Sequence, residues 1–155
     1  MDKVNFTLSY IGKPTNDDDG VECMHGAGEC LGNIIELCAA REYPDPKLYL
    51  GFTMCLSQDY AEIPARSLLE DCAMEHGMDF DRLNDCASDD DGAKGIDMLR
   101  TSVQRSTELG VTKSCTIRLD DKIRCIRDAG EWTDCDGGSS VDSLVKDIED
   151  LANGE

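Results

Sequence analysis

Positive charge and long apolar runs are both scarce in this sequence. Its 155 residues contain 15 Lys and Arg against 33 Asp and Glu, which gives a formal net charge of −18. Nucleic-acid binding needs a surplus of Lys and Arg for phosphate contacts, so this composition excludes it. An anionic membrane surface would repel the chain, and no apolar run is long enough to span a bilayer. We therefore expect neither a nucleic-acid partner nor membrane insertion.

No Cys-x-x-Cys pair occurs, although the sequence has nine cysteines. Cytosolic proteins of this size seldom carry so many cysteines without such metal-binding pairs, so the count favours disulfides in an oxidising compartment. Because nine is odd, at least one cysteine is free or pairs outside this chain. The disulfide candidates are Cys23, Cys30, Cys38, Cys55, Cys72, Cys86, Cys115, Cys125 and Cys135.

A signal peptide is also missing from the start of the sequence, and together with the cysteine content this predicts a processed or truncated chain. The sequon Asn5-Phe6-Thr7 predicts N-glycosylation at Asn5 and supports passage through a secretory pathway, with a chance match as the alternative. The length and a hydrophobic content of 40% are typical of one globular domain with its own core.

Hydrophobic periodicity gives a coarse secondary structure. Alternation over residues 4–11 predicts a strand, and residues 12–20, which include the acidic run 17–19, predict a loop. Helices are predicted over residues 34–41 after an Asn33 cap, 47–56, 64–76, about 79–86 and 96–109, with a last helix after a Ser139 or Ser140 cap. Residues 112–126 predict a hairpin that turns at Asp120-Asp121.

Apolar side chains are predicted to form stripes on two of the helices. The helix after Pro64 has an inner stripe of Leu68, Leu69, Cys72 and Ala73. The last helix has a stripe of Val141, Leu144, Val145, Ile148 and Leu151. The methionines Met24, Met54, Met74 and Met98 are predicted to fill core space, with a loosely specified peptide-contacting surface as the alternative. Cys72 and Cys86 lie on consecutive short helices, and we predict a disulfide between them.

The segment from Cys23 to Cys38 combines three cysteines, a histidine, two glutamates and three glycines. The glycines permit a tight loop, which places Cys23 and Cys30 in a compact disulfide knot. His25 is expected to hydrogen-bond within this loop, and Glu29 and Glu36 are expected to be capping or solvated residues. The alternative to a disulfide knot is a zinc site formed by Cys23, His25, Cys30 and Cys38, because Cys and His are the side chains that usually bind zinc.

This segment resembles the signature of the gamma-interferon-inducible lysosomal thiol reductase family, Cys-Gln-His-Gly-x-x-Glu-Cys-x-x-Asn-x-x-x-x-Cys. Met24 stands where the family has Gln. The matching positions are Cys23, His25, Gly26, Glu29, Cys30, Asn33 and Cys38.

The resemblance implies an α/β fold of the thioredoxin-like class, with a disulfide-rich helical insertion over about residues 21–110 of a single domain 1–155. The family's first strand, first helix and catalytic Cys-x-x-Cys precede the strand placed here at residues 4–11, so the domain is expected to be N-terminally incomplete. Where such reductases carry a cis-proline before the hairpin, this sequence has Ser114.

The resemblance implies reduction of protein disulfides in an acidic lysosome, a vacuole or a secreted setting, with disulfide-containing proteins as substrates. We assign no catalytic residue, cofactor or metal, because the chemistry needs an attacking and a resolving thiol and the Cys-x-x-Cys is missing. Two hypotheses remain. The chain is part of a thiol reductase that is inactive alone, or it is a non-catalytic secreted binding protein or effector on the same scaffold.

Overall fold

The computed structural model describes residues 4–16 and 20–154. The acidic run 17–19 of the predicted loop therefore lies outside the described residues. The chain forms two compact units, one of residues 8–108 and one that combines the N-terminal residues up to 7 with residues 109–155. The fold is mixed α/β and contains four disulfides. No helix among the described residues has both the length and the apolar character that a bilayer crossing requires.

The larger unit is mainly helical. Its elements are β1 (Lys13–Pro14), β2 (Val21–Glu22), α1 (Ala27–Glu42), α2 (Pro46–Gln58), α3 (Arg66–Glu75), α4 (Phe80–Ser88) and α5 (Ala93–Glu108). The two short strands pair antiparallel, and a 3₁₀ turn covers Tyr60–Glu62. The helices predicted from periodicity after residue 46 are therefore confirmed, with ends shifted by a few residues.

Two buried clusters form the core of this unit. Phe52, Leu56 and Leu83 are fully buried in the first cluster, which α1, α2, α3 and α4 share. Leu99 and Val103 of α5 are fully buried in the second, beside the cysteines of α1 and α4. At roughly 25 cal/mol per Å² of apolar surface, burial of these side chains is the main force that holds the helices together.

The strand predicted over residues 4–11 is wrong. Residues 4–12 form neither helix nor strand, because no strand among the described residues runs beside them to share a backbone ladder. The backbone N–H of Tyr10 donates instead to the Ser102 hydroxyl on α5 at 2.9 Å, and the Ser9 and Ser106 hydroxyls lie 2.6 Å apart. Side chains on α5 therefore satisfy polar groups that a sheet would have paired.

The start of α1 also differs from the prediction. The helix begins at Ala27 rather than after Asn33, so Asn33 lies at the end of its second turn and does not cap it. Gly26 precedes the helix with φ +92°, a left-handed conformation that favours glycine. Two later helices have side-chain caps: Asp79 accepts from the Asp81 N–H, and Ser140, one of the two serines predicted to cap the last helix, accepts from the Ser143 N–H.

The smaller unit contains a three-stranded antiparallel sheet, β3 (Thr116–Leu119), β4 (Lys122–Asp128) and β5 (Glu131–Thr133), followed by α6 (Val141–Asn153). The predicted hairpin is confirmed, and Asp120 and Asp121 turn it with φ of +49° and +63°. Periodicity missed the third strand, which has only three residues. Its pairing with β4 is what makes it a strand.

One prediction about apolar side chains is wrong, and one predicted apolar stripe is left without a buried residue. Met24, Met54 and Met74 are more than two-thirds exposed, because they lie on the outer sides of the loop and helices that carry them. No residue of α6 is buried, although its apolar stripe has the expected spacing. Spacing shows that such a stripe exists, whereas only the neighbouring elements decide whether it is covered.

Candidate functional site

The disulfides join the helices of the larger unit. Cys23 pairs with Cys30, Cys38 with Cys86, and Cys55 with Cys72, while Cys125 pairs with Cys135 in the smaller unit. The predicted bridge between Cys72 and Cys86 is therefore wrong. The reason is the helix packing: α4 packs against α1 and so brings Cys86 to Cys38, whereas α3 packs against α2 and brings Cys72 to Cys55.

Cys115 is the free cysteine of the chain, and it is exposed. It immediately precedes β3 and pairs with Arg127 through two backbone hydrogen bonds of 2.7 and 2.8 Å. The Ser114–Cys115 peptide is cis. A single exposed thiol can attack a disulfide and form a mixed disulfide, but it offers no second thiol to resolve that intermediate.

The disulfides also exclude the zinc alternative in this state. Cys23, Cys30 and Cys38 are all disulfide-bonded, so none of them is a thiolate ligand beside His25. Elsewhere, Cys55, Glu75 and His76 have potential ligand atoms within 4.8 Å of one another. The sulfur of Cys55 is bonded to Cys72, so this group lacks its thiolate as well.

The signature loop is closed by Glu29. Its Oε2 accepts the backbone N–H of His25 at 2.6 Å and lies 2.8 Å from the His25 Nδ1. Glu29 thus reaches back from the first turn of α1, where a negative charge also interacts favourably with the helix dipole. This matches two expectations: His25 hydrogen-bonds within the loop, and Glu29 caps a backbone N–H at the start of α1. The His25 ring itself is largely exposed.

A cavity of about 450 Å³ lies between α1 and the 3₁₀ turn. Three of the seven signature residues line it, together with Glu36 and the segment that carries the turn. The complete lining is His25, Gly28, Glu29, Gly32, Asn33, Glu36, Tyr60, Ala61 and Ile63. The signature therefore builds one wall of a cavity as well as a disulfide loop.

Glycines on α1 allow the opposite wall to come close. A Cβ on Gly32 would lie 2.5 Å from Cγ2 of Ile63, which is closer than real atoms approach. At Gly28 a Cβ would lie 3.4 Å from Cδ of Pro64, at the edge of ordinary contact. Gly32 is thus required for the separation of α1 and residues 60–64 that the structure shows.

Glu36 was expected to be solvated or to cap a helix, and this expectation is wrong. Its side chain is buried with 8% exposure and accepts a hydrogen bond from the Tyr10 hydroxyl at 2.5 Å. Burial raises the pKa of Glu36 to about 7, although the hydrogen bond from Tyr10 acts in the opposite direction. Burial, with the nearby carboxylate, also raises the pKa of Tyr10 well above its usual value.

Sequence reasoning missed three contributors to this site: Glu36, Tyr10 and Tyr60. A signal for Glu36 was present, because it follows Glu29 and Asn33 at the spacing of one helix face once α1 is extended to Ala27. The placement of Tyr10 and Tyr60 depends on contacts between segments distant in sequence, and no local pattern predicts them.

Comparison with known proteins supports the resemblance read from the signature. Residues 1–76 match the family model described as gamma interferon inducible lysosomal thiol reductase (GILT). A gamma-interferon-responsive lysosomal thiol protein from Arabidopsis thaliana is 33% identical over 75 residues, which cover 48% of this chain and 29% of that protein. This chain thus spans less than a third of the curated relative that it matches. No solved structure matches it.

Proposed function

We propose that the protein, whose residues 1–76 match the family model of gamma interferon inducible lysosomal thiol reductase, is a member of that family that takes part in disulfide chemistry on protein substrates but does not reduce disulfides by itself. Reduction of a disulfide transfers two electrons from two thiols, one that attacks and one that resolves the mixed disulfide. In the described part of the chain, Cys115 is the free thiol and eight cysteines are paired. This pairing is the observation that carries the proposal.

We propose that the three disulfides of the larger unit are structural. Cys38 and Cys72 are at most 1% exposed, and the Cys23–Cys30 bridge is also buried. A thiolate from outside reaches buried sulfur atoms poorly, and exchange depends on such access. The larger unit is then a disulfide-stabilised scaffold whose exposed surface binds other polypeptides.

The thioredoxin-like class remains part of this proposal, with residues of about 21–110 as a helical insertion in a single domain 1–155. The order of β3, β4, β5 and α6 in the smaller unit supports it, since an antiparallel hairpin followed by a helix is what that fold requires at this place. An experimental structure in which β3 and β4 extend a sheet with a parallel strand would test the class directly.

For localisation, we propose a lysosomal, vacuolar or secreted protein that is glycosylated at Asn5, an exposed residue. Expression behind an export signal in a eukaryotic secretory host tests the glycan. Treatment with an endoglycosidase is expected to lower the apparent mass of this protein and to leave an Asn5→Gln variant unchanged. An unaltered mass in the unsubstituted protein would contradict glycosylation at this site.

Insulin reduction tests the catalytic part of the proposal. The purified, oxidised chain is incubated with insulin and a small thiol at acidic pH, and turbidity is followed against a blank without protein. We expect no rate above the blank, and the same result for Cys115→Ser. Turnover by the unsubstituted chain would contradict the proposal, and its loss in Cys115→Ser would identify Cys115 as a nucleophile.

A non-catalytic binding protein or effector is the second candidate function. The cavity beside α1 favours it, because its size suits a bound side chain or small group and its lining includes three signature residues. If the insulin assay is negative and a ligand binds this cavity, recognition rather than electron transfer is the role of the signature.

A further inference from the structure

The cavity beside α1 combines apolar walls with two carboxylates. Ala61, Ile63 and the glycine faces of α1 provide the apolar part, while Glu29 and Glu36 provide the carboxylates. Among the described residues that line it there is no lysine or arginine. His25, which already bonds Glu29, is the one basic side chain in the described lining, so the lining favours a positively charged ligand.

Polar atoms in this lining remain available for a ligand. In both Glu29 and Glu36 the hydrogen bonds to His25 and Tyr10 are accepted by Oε2, so each carboxylate has a second oxygen that can accept. The Asn33 side chain makes no hydrogen bond to any residue that the structure describes, although it lies between the two carboxylates on α1. A donor-rich group would meet three acceptors along one helix face.

Tyr60 adds an aromatic surface to the mouth of the cavity. Its side chain is 77% exposed, an unusual position for an aromatic ring that no core contact requires. A cation over the face of a tyrosine ring gains about 0.5 to 1 kcal/mol at an exposed site. The ring, the acceptors and the apolar walls suit one kind of group: a cation on an alkyl stem.

We propose that this cavity binds the side chain of an arginine from a partner polypeptide. The planar guanidinium donates in several directions at once and can bond Glu36 and Asn33, which lie one turn apart on α1, while Glu29 adds negative charge further along the same helix face. The compact ammonium of lysine makes such paired bonds less well. Its methylene stem would lie along Ala61 and Ile63, and its plane can stack on Tyr60. The proposal concerns recognition alone and holds whether or not the chain takes part in disulfide reduction.

The probe is acetyl-arginine amide, with acetyl-citrulline amide as a neutral probe of nearly the same shape. Each is titrated into the isotopically labelled protein above pH 7, so that Glu36, whose pKa is about 7, is ionised. We expect the arginine probe to shift the amide signals of Gly28, Gly32 and residues 60–63 with saturation. The citrulline probe is expected to bind at least about tenfold more weakly, because it lacks the charge. The third probe is Nα-acetyl-lysine amide, whose side-chain ammonium is free. Its affinity is expected to lie between those of the arginine and citrulline probes.

Two glutamate variants separate this site from general attraction to an acidic protein. Glu36→Gln retains an acceptor for Tyr10 but removes the charge, and we expect it to weaken arginine binding about tenfold. Glu62→Gln removes an exposed charge from the same 3₁₀ turn outside the lining, and we expect no change. If Glu36→Gln does not fold, Tyr60→Leu replaces it, because this exposed position tolerates substitution.

Three results would overturn the proposal. Equal affinity for the arginine and citrulline probes would show that the cavity does not select charge. Shifts scattered over the acidic surface, or lost equally in Glu62→Gln and Glu36→Gln, would show attraction to the net charge of −18. Absence of saturable shifts in the unsubstituted, folded protein would show that the cavity does not bind this side chain.

Discussion

The two units of this protein use different means to hold their structure. Residues 8–108 contain two hydrophobic clusters and three disulfides, with side chains such as Phe52 and Leu99 that are fully buried. The unit that includes residues 109–154 has one disulfide, and the helix α6 buries no residue. Its most enclosed polar group is Arg124, with 6% exposure. Apolar packing therefore dominates the first unit, while the second depends more on a buried cation and its partners.

Removal of single disulfides tests this comparison with the largest expected effect. Cys38→Ala with Cys86→Ala opens a bridge that spans 48 residues. The loop-closure model gives a loss of about 4 kcal/mol in the free energy of unfolding. The helical signal in far-UV circular dichroism, measured in a denaturant titration, reports this loss.

The matched control opens the short bridge of the other unit. Cys125→Ala with Cys135→Ala removes a bridge that spans 10 residues, and the same model gives about 3 kcal/mol. Fluorescence of Trp132, the sole tryptophan, follows the smaller unit separately. If both double variants shifted the two signals equally, the units would unfold as one and the comparison would fail.

Acidity is expected to stabilise the larger unit through Glu36. Its folded pKa of about 7 lies above the usual value of 4.5, so its contribution is fully present below pH 4.5 and is lost as pH rises through about 7. The loss is up to about 3 kcal/mol for this buried group. Unfolding free energies at a series of pH values, compared with those of Glu36→Gln, measure it.

The difference in pH-dependent stability between the unsubstituted protein and Glu36→Gln separates the effect of Glu36 from that of the many exposed carboxylates. Glu36→Gln is expected to flatten the fall in stability between acidic and neutral pH. A fall of the same size in the variant would assign the pH dependence to general repulsion among the acidic groups.

Arg124 is expected to matter most in the smaller unit. Its Nε lies 2.6 Å from Asp147 Oδ2, and its other nitrogens donate to the Gly138 carbonyl at 2.9 Å and the Ser143 hydroxyl at 3.1 Å. Arg124→Met removes the donor to Asp147 and to the Ser143 hydroxyl and leaves the Gly138 carbonyl with the Ser143 hydroxyl alone, so it should cost about 2 to 3 kcal/mol. Trp132 fluorescence in denaturant gives the value.

An exposed ion pair on α6 provides the control for this substitution. Lys146 pairs with Asp150 at 2.5 Å, but the lysine is 73% exposed. Lys146→Met should therefore change stability by less than about 0.5 kcal/mol. Comparable losses in the two variants would mean that burial of Arg124 is not what makes its bonds important.

The smallest expected effect concerns the wall of the cavity in the larger unit. Gly32→Ala forces Ile63 to move and should cost about 1 kcal/mol or more, despite the higher helix propensity of alanine. Gly28→Ala, with only an ordinary contact to Pro64, should be neutral or stabilising by up to about 1 kcal/mol. Thermal unfolding of the two variants separates them, and equal shifts would show that the two walls are not tightly packed.

The sequence by itself determined the features that depend on neighbouring residues. Ser140, one of the two serines predicted as the cap, begins the last helix, and Asp79 caps α4, since a cap needs only the residues of the next turn. The turn at Asp120-Asp121 and the helices after residue 46 follow local rules in the same way. The seven signature positions were enough to predict the resemblance that the family-model match over residues 1–76 supports, because such a combination of spacing and residue type rarely arises by chance.

Only the tertiary structure decided which distant residues meet. Cys72 and Cys86 lie on adjacent helices, yet each pairs with a cysteine elsewhere because α3 packs against α2 and α4 against α1. Residues 4–11 alternate as a strand does, but no strand in the part of the chain that the structure describes pairs with them. Glu36 became a buried group through contact with Tyr10, 26 residues away. Pairing, burial and pKa depend on the surroundings in space, and a local pattern does not contain them.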